Sequence, residues 1–222
     1  MERVIHLLFL SFCLGFIVLV LQSEPARAKQ VKPGDLDPML GTVLQKLDAV
    51  SCAASGYVDN ADGTLCDCTR NLMWEKKTGT LGEPAECTGA SPDSTCFDPH
   101  DVNNGYQWSS TGADPDGALF TVFLAQLNGE IGGMGCFAGH CDWRIPELDE
   151  LFTIFDLSKG FCGVGIGPCI NAIFGPTAAS DYWSSTEGDH PQSVKGVNFS
   201  NGVVTNFANN IFLFTRAVRE CE

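Results

Sequence analysis

Positive charge is scarce in this chain: 13 Lys and Arg stand against 27 Asp and Glu in 222 residues, a formal charge of −14. That shortage excludes the clustered cations on which binding to nucleic acid, anionic membranes or sulfated polysaccharide depends. Histidine is scarce too. His100, His140 and His190 lie in loop-like contexts without a His-x-x-x-His pair, and no Gly-x-Ser-x-Gly elbow occurs, so no hydrolytic constellation stands out. Residues 160–167 are rich in glycine, but no Lys-Ser or Lys-Thr follows, which rules against a phosphate-cradling loop. The one long apolar run, residues 7–21, is short for a spanning helix, which needs about 20 residues.

That run follows Met1-Glu2-Arg3 and precedes Ala26-Arg27-Ala28, the layout of a secretory signal peptide over residues 1–28. Cys13 sits inside the run behind Phe12, which argues against lipidation. The expectation is a secreted, periplasmic or cell-surface protein with no membrane span after cleavage. Removing residues 1–28 takes two cations and two acids, so the acidity belongs to the remainder. Cysteine, by contrast, is abundant, with eleven in all. Once Cys13 leaves with the signal, the even, high count in an exported chain reads as disulfides. Cys87 and Cys96, Cys136 and Cys141, and Cys162 and Cys169 each bracket a short loop and are expected to pair. Cys52, Cys66, Cys68 and Cys221 remain, and four cysteines allow three connectivities. The favoured ones tie Cys221 back to the opening hairpin and leave Cys66 and Cys68 unpaired with each other. A metal site built from Cys66, Cys68, Cys136, Cys141 and His140 is the alternative, with imperfect spacing and an oxidising compartment against it.

Within residues 29–50, Leu36, Leu40, Val43, Leu47 and Val50 step by four and three, a heptad seam on a helix. Such a helix packs on its own domain or joins copies into a homo-oligomer through residues 36–50. Residues 51–222 form the main domain. Asp59-Asn60-Ala61-Asp62-Gly63 between strand-like flanks is a hairpin turn. Asp59, Asn60 and Asp62 are also candidate ligands for calcium, which takes about six to eight oxygens, although the later bidentate Glu of an EF-hand is missing. Residues 71–74 read as a strand with Trp74 in the core, and residues 78–104 as a long polar insertion loop. Tyr106 to Ser110 is a short strand, and Asp114-Pro115-Asp116-Gly117 opens a helix over residues 118–127. A second helix begins at Pro146, suited to the first helical position. Glu147, Asp149 and Glu150 match its dipole and read as a helix start rather than as catalytic carboxylates. Leu148, Leu151, Phe152 and Phe155 supply its apolar face. Residues 181–187, 194–199, 203–207 and 211–220 complete an antiparallel sheet, with Asn201-Gly202 as a hairpin turn.

Four blocks recur in a known order: Tyr57 to Thr64 with Asn71 to Trp74, Trp143-Arg144-Ile145-Pro146 with Glu150-Leu151, Tyr182-Trp183-Ser184-Ser185, and Arg216-Ala217-Val218-Arg219. Together they resemble the Lcl C-terminal-domain family, named for the terminal domain of a collagen-like bacterial adhesin. The resemblance implies an α+β, C-type-lectin-like fold with an antiparallel sheet, hairpins, two main helices and disulfide-stabilised loops. It implies a secreted or surface domain and no reaction. Glycosaminoglycan binding, associated with that adhesin, finds no basic stripe here. The residues themselves support a non-enzymatic binding or adhesion module for a glycan or a surface protein. A pyranose packs its C–H face on an aromatic ring while fixed oxygens take its hydroxyls. Trp108, Tyr182 and Trp183 beside Asp181 are the candidate contacts. The other readings are a structural or assembly component of the bacterial cell envelope, and an accessory domain related to formylglycine-generating enzymes.

Overall fold

Two tight turns start the architecture. Gly63, at φ 93°, closes the hairpin between β1 (Tyr57–Asp59) and β2 (Thr64–Asp67), and Asn71, at φ 58°, closes the next one onto β3 (Leu72–Glu75). Both conformations are left-handed, which glycine adopts freely and Asn tolerates better than most residues. The computed structural model describes residues 40–43, 46, 52, 56–83, 98–133, 135–160, 162–163 and 166–221. The signal segment and most of the heptad seam lie outside these residues. So do Cys87 and Cys96, and the disulfide expected between Cys87 and Cys96 therefore falls outside the described part of the chain. The chain divides into two compact units, residues 1–43 and 44–222. Of the first, residues 40–43 are helical, with Leu40 and Val43 exposed.

In the larger unit β4 (Tyr106–Gln107) precedes helix α1, which spans Leu119–Leu124 in wide π-type turns and Ala125–Leu127 in regular ones. Helix α2 (Leu148–Thr153) precedes β5 (Asp181–Glu187), β6 (Ser193–Asn198), β7 (Val204–Ala208), β8 (Phe212–Leu213) and β9 (Val218–Glu220). All ladders are antiparallel, in the orders β1-β2-β3-β9, β4-β8 and β5-β6-β7. The first and last strands of the domain therefore share one sheet, and a disulfide between Cys66 and Cys221 joins β2 covalently to the chain end.

Alternation along the strands divides the core in two, because successive side chains leave a strand on opposite faces. Met73, Trp183 and Ala217 join α1 residues Leu119, Val122, Phe123 and Leu127 in one cluster. Their sequence neighbours Trp74, Tyr182 and Val218 join Leu151, Ile154 and Phe174 in the other. The molecule is thus a mixed, mostly antiparallel fold with few helices and several disulfides.

Three expected elements come out differently. The single strand expected over residues 211–220 is split into β8 and β9, because the chain changes sheets between them. Asp116 does not cap α1; it accepts hydrogen bonds from Ser109 Oγ (3.0 Å) and from Ser110 N and Oγ (both 2.8 Å). Pro146 stands before α2 rather than in it. Its carbonyl accepts from Ser185 N (2.7 Å), and Glu150 reaches back to Glu147 N (2.7 Å) to close the helix start. The same Glu150 forms a two-pronged ion pair with Arg144 at 2.6 and 2.7 Å, so its carboxylate is structural.

Candidate ligand-binding site

Two centres stand out among the described residues, one buried and polar, the other a cavity at the surface. The buried centre lies at the end of β3. Glu75 and Lys77 are two residues apart, so they project from the same side of the chain, and both are buried. Glu75 Oε1 accepts from Lys77 Nζ (2.7 Å) and meets His100 Nδ1 (2.7 Å), while Oε2 accepts from Ala217 N (2.9 Å). Arg216, also buried, donates through Nη1 to the carbonyls of Glu75 (2.7 Å) and Phe174 (2.9 Å), and through Nη2 to Thr177 Oγ1 (2.9 Å). Burial alone drives a carboxyl pKa upward. Here Lys77 and His100 outweigh it and hold Glu75 at about 2. Desolvation falls on the cation, and burial lowers the Lys77 pKa although Glu75 pulls it upward. One anion thus anchors β3, the segment around His100 and the approach to β9. The His100 side chain, only 17% exposed, is part of this anchor rather than the solvated loop residue its sequence context suggests.

The surface centre is a cavity of about 310 Å³ lined by Phe155, Leu157, Gly160, Cys162, Cys169, Ser200 and Asn201. The Cys162–Cys169 disulfide forms one wall and the β6–β7 turn another. Gly202 permits the turn to approach the Phe155 ring, because a Cβ there would lie 3.1 Å from it. Phe155 in turn stacks on Phe199 at 6.1 Å between ring centroids. Leu157 stands 84% exposed at the rim. A polar chain supports the opposite side. Ser200 donates from its N (2.8 Å) and its hydroxyl to Asn198 Oδ1, and Asn198 Nδ2 donates to Asp181 Oδ1 (2.8 Å).

The four residues expected at a ligand surface do not form one: Trp108 meets Trp183 at 6.0 Å between ring centroids, but that contact belongs to the core. Tyr182 and Trp183 are buried, which corrects their placement at the surface. Trp183 Nε1 donates to the Tyr106 carbonyl (2.7 Å), and Tyr182 Oη accepts from Ala178 N (3.0 Å), with burial pushing its pKa up to about 12. Trp108 is partly buried and packs edge-on against Phe120 at 4.8 Å. Asp181 alone connects to the cavity, through Asn198.

The turn at residues 59–62 engages its own side chains. Asp59 pairs with Lys76 (2.5 Å) and accepts from Ala61 N (3.1 Å), Asn60 donates to Thr64 Oγ1 (2.8 Å), and Asp62 accepts from Thr64 N (3.0 Å) and Oγ1 (2.6 Å). These are the local bonds by which Asx residues build turns. Among the described residues no three His, Cys, Asp or Glu side chains converge on a common metal position. The cysteines of the alternative metal set are all in disulfides: Cys52–Cys68, Cys66–Cys221 and Cys136–Cys141. Cys136 with Cys141 and Cys162 with Cys169 are the expected neighbour pairs. The third such pair, Cys87 with Cys96, lies outside the described residues.

Sequence reasoning missed both centres. The opposite charges at positions 75 and 77 beside a core tryptophan were a usable signal for the first. For the second, it was the coincidence of a disulfide-bracketed glycine loop with an Asn-Gly turn. The family model described as the Lcl C-terminal domain matches residues 63–219, more than half of the chain. No curated protein matches the chain.

Proposed function

Because the chain belongs to the Lcl C-terminal domain family, a non-catalytic, adhesin-associated domain type, we propose that it is an exported, C-type-lectin-like binding module whose ligand is a carbohydrate. The cavity between the Cys162–Cys169 loop and the β6–β7 turn is the proposed site. The observation that carries this reading is the cavity's lining: an aromatic ring, an aliphatic rim, a hydroxyl and a carboxamide, with no ionisable side chain among the described residues. A sugar ring offers an apolar C–H face to Phe155 and Leu157, and hydroxyls to Ser200 and Asn201. Such a lining can hold a neutral ligand but supplies no general acid or base. Export is supported by the disulfides and the sequence of residues 1–28, and no helix among the described residues is long and apolar enough to cross a membrane.

A glycan array read with the exported chain tests this. Binding to a defined set of neutral glycans that survives calcium chelation is expected, since no carboxylate lines the cavity among the described residues. Silence with and without calcium would overturn the carbohydrate reading and leave the structural, envelope-assembly role.

A further inference from the structure

The sheet β5-β6-β7 ends in a strand with an open side. The bonds from Asn198 N to Val203 O (2.9 Å) and from Asn209 N to Gln192 O (3.2 Å) bracket the β6–β7 ladder and fix its phase. In an antiparallel pair alternate residues bond to the neighbour. Val203, Thr205, Phe207 and Asn209 therefore turn their peptide groups toward β6, while Val204, Asn206 and Ala208 turn theirs outward. Apart from Ala208 O, which accepts from Ile211 N (3.3 Å), these outward groups have no backbone partner among the described residues.

Three other edges are managed. The outer side of β5 is covered by Phe214, through Trp183 N to Phe214 O (3.0 Å) and Phe214 N to Asp181 O (3.1 Å). The outer side of β9 is covered by Arg144, which exchanges two backbone bonds with Val218 (2.9 and 3.0 Å). β1 is three residues long and carries the Asp59–Lys76 pair. Soluble proteins ordinarily blunt a free edge with charge, proline, a bulge or a cover. β7 has none of these, and Val204 within it and Val203, Ile211 and Phe212 beside it are exposed.

Charge indicates the occupant. From Gly196 to Thr215 there is no Asp, Glu, Lys or Arg, in a chain of formal charge −14. Of the charges beside β7, Asp189 and Lys195 pair with each other at 2.9 Å, and Asn206 donates to the same Asp189 carboxylate (3.0 Å). Two copies of so acidic a molecule repel over most orientations, and this neutral run is where they approach at least cost.

We propose that β7 is the docking edge for a second copy of this chain, joined antiparallel about a two-fold axis at Asn206 into a continuous six-stranded sheet. In that register Val204 faces the second copy's Ala208 and Thr205 faces its Phe207. The outward peptide groups of 204, 206 and 208 meet their counterparts, and no like charges oppose one another.

Light scattering on the full exported chain and on Val204→Lys, with disulfide content as the folding control, tests the association. Wild type is expected at twice the mass of the folded variant. Amide hydrogen exchange tests the register: protection at residues 204, 206 and 208 should rise with protein concentration while 205 and 207 stay constant. Equal masses for wild type and Val204→Lys, or concentration-independent exchange at 204, 206 and 208, would overturn the proposal. An oligomer formed through residues 36–50 alone gives that second pattern and so counts against β7.

Discussion

At the scale of single residues, the domain depends on Glu75, a buried carboxylate that satisfies two side-chain cations or donors and one backbone N–H at once. Replacing it by Gln takes from buried Lys77, which already feels the charge of Arg216, the carboxylate it pairs with at 2.7 Å. Removing one partner of a buried pair typically costs about 3–5 kcal/mol. Denaturant unfolding of Glu75→Gln should show a loss of that order, and a loss below about 1 kcal/mol would remove Glu75 from its central place. The pH dependence follows in sign. The folded-state pKa of Glu75, about 2, lies below the ordinary value of 4.5, so its stabilisation is complete above about pH 4.5 and is lost as pH falls toward 2. Acid titration of stability should lose this component in wild type and lack it in Glu75→Gln.

At the scale of elements, two predictions concern how strands are joined. Gly196 in β6 crosses close beneath its neighbours: a Cβ there would lie 2.8 Å from Tyr182 O and 2.9 Å from the Phe207 ring. Gly196→Ala should therefore destabilise by about 1–3 kcal/mol, the usual cost of overpacking, measured by denaturant midpoint. The Cys66–Cys221 disulfide spans 155 residues and ties β2 to the end of β9. Its removal in the Cys66→Ser, Cys221→Ser double variant should cost about 2–5 kcal/mol. Thermal unfolding of the oxidised variant checks this.

Much at this scale was legible beforehand, for identifiable reasons. The Asp62-Gly63 and Asn201-Gly202 turns and the existence of the two helices rest on local chemistry that tertiary packing did not override, although neither helix starts where its local signals place it. Tyr182 and Trp183 were harder. Polar Ser184 and Ser185 follow them, and the sequence does not state that the strand is covered on both faces, one by each half of the core. The split of residues 211–220 was hidden likewise, since a chain that changes sheets keeps an extended pattern throughout. Residues of the cavity come from two segments, 155–169 and 200–201, that are 31 positions apart at their nearest, so no local spacing announced Phe155 beside Ser200.

At the scale of the whole molecule, the cross-linked scaffold leaves a disulfide-walled cavity and an open sheet edge as surfaces available to partners. Leu157, exposed at the cavity rim, contributes to neither core cluster. Leu157→Asp should therefore preserve stability within about 0.5 kcal/mol while abolishing glycan capture on an array, which separates recognition from folding. The most direct test of carbohydrate binding at the cavity is a map of amide chemical-shift changes as a bound glycan is titrated into the exported chain. The changes are expected to concentrate at residues 155–169 and 198–203. Changes centred instead on Trp108 or on the 59–62 turn, with the cavity silent, would contradict it.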